Sequence, residues 1–235
     1  MALGSGFTGS SHQNTLKGGL DMGQMQNNLS TLLINGGWKA AERKYSKLTL
    51  EKIIDYGLYN EVKNTYLKLG GLQEIFPIRF GGWDMEFDTV VVELDEQRHF
   101  NRYRNLTLES TIYEQLPRFP LGLYKQYCSS YEEECLKSGG FGGYWTNESC
   151  ETHFGTASIP KNLSGNGSPR WKQRAFYDYL KDICILTNNI PLVRISIWDS
   201  IPIEGRPELV MNILKKKKPE GIKELQTLIQ NRIPR

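Results

Sequence analysis

Residues 83–95 alternate between apolar and polar positions, and the alternation sorts them into two unlike faces. If Asp88-Thr89 is a two-residue hairpin loop, Phe87 pairs with Val90, Met85 with Val92 and Asp84 with Glu93. Side chains point to opposite faces at successive strand positions. Met85, Phe87, Val90, Val92 and Leu94 therefore share one apolar face. Asp84, Glu93 and Asp95 share the other, with Gln97 and His99 in phase if the strand continues. A slip of one residue would mix the two faces, so the pattern fixes its own register.

The rest of the chain reads mainly as helix. Thr49 is placed to cap a helix running to about Leu69, ended by Gly70-Gly71. A further strand is predicted near Pro77–Phe80, and helices over about Arg102–Leu116 and Leu121–Lys137. Residues 139–167 are glycine-rich without periodicity, within an irregular insertion spanning about 117–167. Ser168-Pro169 is a strong helix start, a capping serine with proline at the first helical position. That helix reaches Cys184 and is followed by a strand over Leu192–Trp198. Two helices close the chain, about Pro207–Lys217 and Pro219–Asn231. Helices enclosing a few strands predict a mixed α/β fold with a central sheet. Residues 1–45 are rich in Gly, Ser, Asn and Gln and read as a disordered leader, with one weak helix at Leu29–Leu33. Residues 46–235 are then a single domain.

Composition narrows the function only slightly. The chain has 235 residues, 39% hydrophobic and 23% charged, which is ordinary for a globular protein. A net charge of +3 is too weak to identify a partner by itself, so partners must be argued from local patches. No apolar run reaches the length of about 18 residues that a membrane span needs, and no secretory signal pattern opens the chain. A cytoplasmic protein with reduced thiols is the expectation.

The acidic face carries the chemistry. Directly opposed carboxylates at ~4–5 Å repel by about 1 kcal/mol in water and by several at lower dielectric. A bound Mg²⁺ or Mn²⁺ would offset that repulsion, since hard cations take oxygen ligands. Neutralisation by Arg98, Arg102 and Arg104 would do so as well. Under the metal reading, removing the Asp95 charge relieves repulsion and raises stability.

An Asp on one strand, followed by the apolar-to-acidic run VVVELDEQRHF, resembles the PD-(D/E)XK nuclease superfamily, closest to its very-short-patch-repair-like branch. The WKQRAFYDYLKD helix and the VRISIW strand carrying Arg194 form a second block of resemblance. The resemblance implies a restriction-endonuclease-like core and metal-dependent phosphodiester cleavage, usually of DNA, with RNA the other candidate. It makes Asp84, Glu93 and Asp95 metal ligands. Gln97 or His99 then takes the place of the group that positions the attacking water. Lys172 and Lys181 become phosphate contacts, with Arg194 on the last core strand. The alternative is a catalytically silent nucleic-acid-binding or protein-interaction module on the same fold. The departures are the missing proline before Asp84, the short spacing to Glu93, and the lack of a lysine two residues after Glu93 or Asp95.

Other clusters are weaker. Cys128, Cys135, Cys150 and His153 could be offered to zinc, but seven helical residues hold Cys128 and Cys135 ~10.5 Å apart, too far for ligands of one ion. Buried thiols are expected instead. Lys215–Lys218 suit a helix C-terminus, and Trp145, Trp171 and Trp198 are expected in the core.

Overall fold

The computed structural model describes residues 23–41 and 45–234. The expected disorder of residues 1–22 and 42–44 lies outside the described residues. Eleven α-helices and five strands are described: α1 Gln24–Asn35, α2 Leu50–Asp55, α3 Tyr59–Lys68, β1 Met85–Glu86, β2 Val91–Asp95, α4 Arg102–Thr107, α5 Leu121–Ser130, α6 Glu132–Gly139, α7 Gly142–Trp145, α8 Glu148–Phe154, α9 Pro169–Thr187, β3 Leu192–Ser196, β4 Ser200–Ile203, β5 Arg206–Leu209, α10 Val210–Lys216 and α11 Ile222–Arg232. The fold is mixed α/β, a small mixed sheet flanked by helices.

The sheet has the order β1-β2-β3. β1 runs antiparallel to β2 in the predicted register, Met85 opposite Val92, and Phe87 N–H donates to the Val90 carbonyl at 2.9 Å. β3 runs parallel to β2 and sets Glu93 beside Arg194. Met85, Phe87, Val90, Val92 and Leu94 are all buried, and so is Val91 on the opposite face. The apolar face of the hairpin is therefore core, as its alternation requires.

α9 is the longest described helix and begins where the Ser-Pro signal places it. The Ser168 hydroxyl accepts from Trp171 N–H at 3.2 Å and donates to the Trp145 carbonyl at 2.6 Å. The serine thus caps α9 and anchors α7 at once. α9 packs against α4 and α8, and its charged side chains reach β2 and β3.

Several boundaries differ from the sequence expectations, each for a local reason. The helix expected over Thr49–Leu69 is broken into α2 and α3 at Gly57, whose φ of 69° lies in the left-handed region. The helix expected over Arg102–Leu116 ends at Thr107 and resumes as a 3₁₀ turn over Thr111–Gln115. Between them Glu61 accepts from the Ser110 hydroxyl and Thr111 N–H. Pro77–Phe80 forms no strand, since Pro77 has no N–H to give a ladder. Pro207 lies in the β4–β5 hairpin, not in a helix; Glu204 and Gly205 turn it with φ of 50° and 78°, the conformation of a type I′ turn. The helix expected over Leu121–Lys137 is interrupted at Tyr131, whose ring stacks on Trp198 with centroids 3.8 Å apart.

Residues 24–35 also depart from the expected leader. They form α1, with Leu29 and Leu33 fully buried and Asn28 Nδ2 donating to the Leu214 carbonyl at 3.0 Å. α1 packs against α10 and α11 and is part of the domain. Leu29→Ala is expected to lower unfolding free energy by about 2–5 kcal/mol. Urea denaturation measures this; a change within about 0.5 kcal/mol is what a solvated leader would give.

Candidate active site

The hairpin and α9 meet at a cavity of about 300 Å³. Asp84, Glu93 and Glu96 line it from the hairpin, and Arg170, Arg174, Tyr177, Asp178 and Lys181 from α9. The hairpin pairing brings Asp84 and Glu93 together. Asp84 N–H donates to Glu93 Oε1 at 3.0 Å, and Leu94 N–H donates to Asp84 Oδ2 at 2.9 Å. Lys181 arrives from the helix, its ammonium 2.6 Å from Glu93 Oε2 and 2.9 Å from the Gly82 carbonyl. The same ammonium lies over the Trp83 ring, 5.5 Å from its centroid.

Glu93 is only 2% exposed. Burial pushes its carboxyl up to about 7; Lys181 opposes that rise and Asp84 adds to it. Glu96 is likewise raised by burial. The acidic end of the cavity thus sets three carboxyl groups, two of them disfavoured as anions by burial, against the one ammonium of Lys181. Its donors are all carboxylate oxygens, the set that Mg²⁺ or Mn²⁺ takes.

Behind this cavity is a buried ion network centred on Arg194. Its Nη1 is 2.8 Å from Asp95, its Nε 2.5 Å from Asp182, and its Nη2 donates to the Asp178 carbonyl at 2.9 Å. Asp182 also holds Arg104 at 2.7 Å and accepts from the Tyr113 hydroxyl at 2.7 Å. Asp95 accepts from the Tyr124 hydroxyl at 2.8 Å. His99 lies between two of these acids, its Nδ1 2.8 Å from Asp178 and 3.2 Å from Asp95. Burial pushes the Asp178 carboxyl up, but His99 and Arg194 outweigh it and hold it well below the usual range. Burial disfavours the charged Arg194 too, yet Asp182, Asp95 and Asp178 raise its pKa well above the ordinary value.

The structure divides the residues that the sequence grouped. Asp84 and Glu93 do converge. Asp95 does not join them: its oxygens are engaged by Arg194, Tyr124 and His99, it is 1% exposed, and it does not line the cavity. Among the described residues, the group close enough to share one ion is Asp95, His99 and Asp178. A cation there would sit against the Arg194 guanidinium that already bridges both acids. Gln97 leaves the acidic face because β2 ends at Asp95 and a 3₁₀ turn begins at Gln97. The same turn brings Glu96 onto the cavity, where strand alternation would not put it.

Of the basic residues, Lys181 lines the cavity. Lys172 does not: its ammonium is 2.5 Å from Asn166 and over the Tyr103 ring. Arg194 is on the strand beside β2, as expected, but three buried carboxylates enclose it, so it cannot contact nucleic acid. All four cysteines are buried and free. Cys128 and Cys135 lie on separate helices, so the straight-helix distance between them does not hold. Cys150 is engaged in capping α8, where Asn147 N–H donates to its sulfur at 3.0 Å. The sequence reading also missed Asp178 and Asp182, although their place one helical turn apart on α9 was visible, and Arg170 with Arg174.

Residues 64–216 match a family described as a family of unknown function, DUF7255, and the chain belongs to that family. The matched span contains β1, β2, α9 and β3, and with them every acid of the cavity. No curated protein and no solved structure matches the chain. No described helix is long and apolar enough to cross a membrane.

The ion network reverses the expected sign for Asp95. Asp95→Asn removes a charge from Arg194 inside the protein, so stability should fall by about 3 kcal/mol or more, as when one partner of a buried pair is deleted. A melting temperature at or above wild type would show that Arg194 does not depend on Asp95.

Glu93 gives a pH test. Its native pKa of about 7 lies above the ordinary 4.5, so between those values the native state keeps a proton that the unfolded chain has released. This contribution is present below pH 4.5 and is lost as pH rises through 7. Its size is of order 3 kcal/mol at most. Denaturation of wild type and Glu93→Gln across this range should diverge, the wild type losing stability with rising pH relative to the variant. Parallel curves would contradict the assignment.

Proposed function

We propose that this protein is a metal-dependent phosphodiester hydrolase acting on nucleic acid. In this reading the β1-β2-β3 sheet with α9 is the core of a restriction-endonuclease-like fold. The single observation that carries it is the convergence of Asp84 and Glu93, at facing hairpin positions, with the Lys181 ammonium on one solvent-reaching cavity. The resemblance to PD-(D/E)XK nucleases supports the same reading. In this reading α9 supplies the lysine, Lys181, that the strand motif lacks.

Asp84 and Glu93 would hold the cation, with Glu96 beside them. The metal, when bound, lowers the pKa of a coordinated water and stabilises charge developing on the phosphate. Glu93 must be ionised to act as a ligand. Lys181, fixed by Glu93 and the Gly82 carbonyl, is placed to orient the attacking water or to stabilise the oxyanion. The buried network keeps α9 in register with β2, so Lys181 faces Glu93 without freedom to swing away. The Lys181–Glu93 ion pair also favours a second reading, a catalytically silent binding module, because Lys181 already offsets part of the charge that a metal would offset.

Cleavage of mixed DNA and RNA in Mg²⁺ or Mn²⁺, with a chelator control, decides between them. The hydrolase should cut only with metal. Asp84→Asn should lose about 100-fold or more of the activity, and Lys181→Met about 10²–10³-fold. Melting curves of both variants check that they fold. Cleavage that persists in chelator or in Asp84→Asn would overturn the assignment, and a wild type that cuts neither substrate would favour the silent module.

A further inference from the structure

The cavity has a second end that the proposed hydrolysis does not use. Arg170, Arg174, Tyr177 and Lys181 fall at i, i+4, i+7 and i+11 of α9, one stripe of the helix, and all four line the cavity. Arg170 and Arg174 are half-buried, and among the described residues neither has a carboxylate within ion-pair distance. Burial and Arg174 both lower the Arg170 pKa. Behind Arg174 lies Arg98, 4% exposed, with Nε and Nη1 unpartnered and its guanidinium stacked 3.9 Å from the Tyr144 ring centroid. Like charges one helical turn apart are destabilising, and buried donors without partners cost more. Arg170 and Arg174, which line the cavity without an acid partner within ion-pair distance among the described residues, are what an anion would offset; Arg98 adds to the local positive charge but does not line the cavity.

We propose that this stripe is a track for one strand of nucleic acid that leads into the Asp84–Glu93 site. Arg170 and Arg174 take phosphates, and Tyr177, between Arg174 and Lys181 along the helix, stacks on an unpaired base. The track runs about 16 Å along the axis from Arg170 to Lys181, the length of a few nucleotides. The substrate class that follows is single-stranded nucleic acid. A duplex offers phosphates but no free base face for Tyr177. A duplex also could not follow into a cavity of about 300 Å³ to reach Glu93. This inference rests on the hydrolase reading for the identity of the polymer, and its test does not require cleavage.

Fluorescence anisotropy in chelator, with labelled dT₁₂, rU₁₂ and a 12-base-pair duplex over a range of salt concentrations, reads the track directly. Wild type should bind at least one of the single strands about tenfold or more tighter than the duplex. Arg170→Gln and Arg174→Gln should each flatten the slope of log K against log salt by about 0.7, one phosphate contact on a single strand. Tyr177→Ala should weaken binding at least about fivefold and leave that slope unchanged. Arg170 and Arg174 are only partly buried and have no ion-pair partner among the described residues, so the melting temperatures of the two arginine variants should stay near wild type. Equal or tighter duplex binding, no binding to either strand, or variants that bind like wild type would each overturn the track. Binding that follows this pattern without cleavage in Mg²⁺ or Mn²⁺ would overturn the hydrolase and leave the track standing. Cleavage with unchanged binding in all three variants would do the reverse.

Discussion

Arg194 reaches from the middle of β3 to Asp95 on β2 and to Asp178 and Asp182 on α9. A guanidinium offers five donors in a fixed plane, and here the plane sets the distance and rotation between the sheet and its longest helix. Asp182 passes the grip to Arg104 on α4. Two arginines thus tie two strands and two helices through side chains that are almost entirely buried. Burying charge is costly unless every group is paired, and the close ion pairs supply that pairing. Three carboxylates against two guanidinia leave one negative charge, and it faces the imidazole of His99.

The cavity inherits its geometry from this grip. Asp178 and Asp182 turn one side of α9 toward Arg194, and that rotation delivers Lys181 to Glu93 and Arg174 to within 3.3 Å of His99 Nε2. Acids then occupy the hairpin end of the cavity and arginines the end nearer the start of α9. Here the network pairs its charges, whereas the arginines lining the cavity have no acid at ion-pair distance among the described residues. That contrast within one protein sets the paired framework apart from the cavity.

Much of the framework was legible in local pattern. Alternation from Met85 to Leu94 gave the hairpin register, because a one-residue slip exposes a whole apolar face. Ser168-Pro169 gave the start of α9, because the serine oxygen and the proline ring each suit one defined backbone position. The pairing of Asp84 with Glu93 followed from the same register. The Leu192–Ser196 strand was legible from its apolar run, its place in the sheet beside β2 was reached only through resemblance, and its parallel direction was not predicted.

What the sequence could not decide were the partners of its charges. Strand alternation placed Asp95 on the face of Glu93, and it is on that face, but whether a carboxylate meets a metal or a guanidinium depends on a residue 99 positions away. Helix breaks at Gly57 and Tyr131 coincide with a left-handed turn and with a stack on Trp198, neither of which the apolar periodicity reports. α1 looked like part of a polar leader because a few leucines among Asn and Gln do not reveal the surface of α10 and α11 that buries them. By itself the sequence determined the short-range order: the register of one hairpin, the cap of one helix and the convergence of two acids. The tertiary structure alone decided which acids are neutralised in the core and which face a cavity, because that choice is made by long-range pairing of buried charge, where an unpaired partner costs more than any local preference can supply.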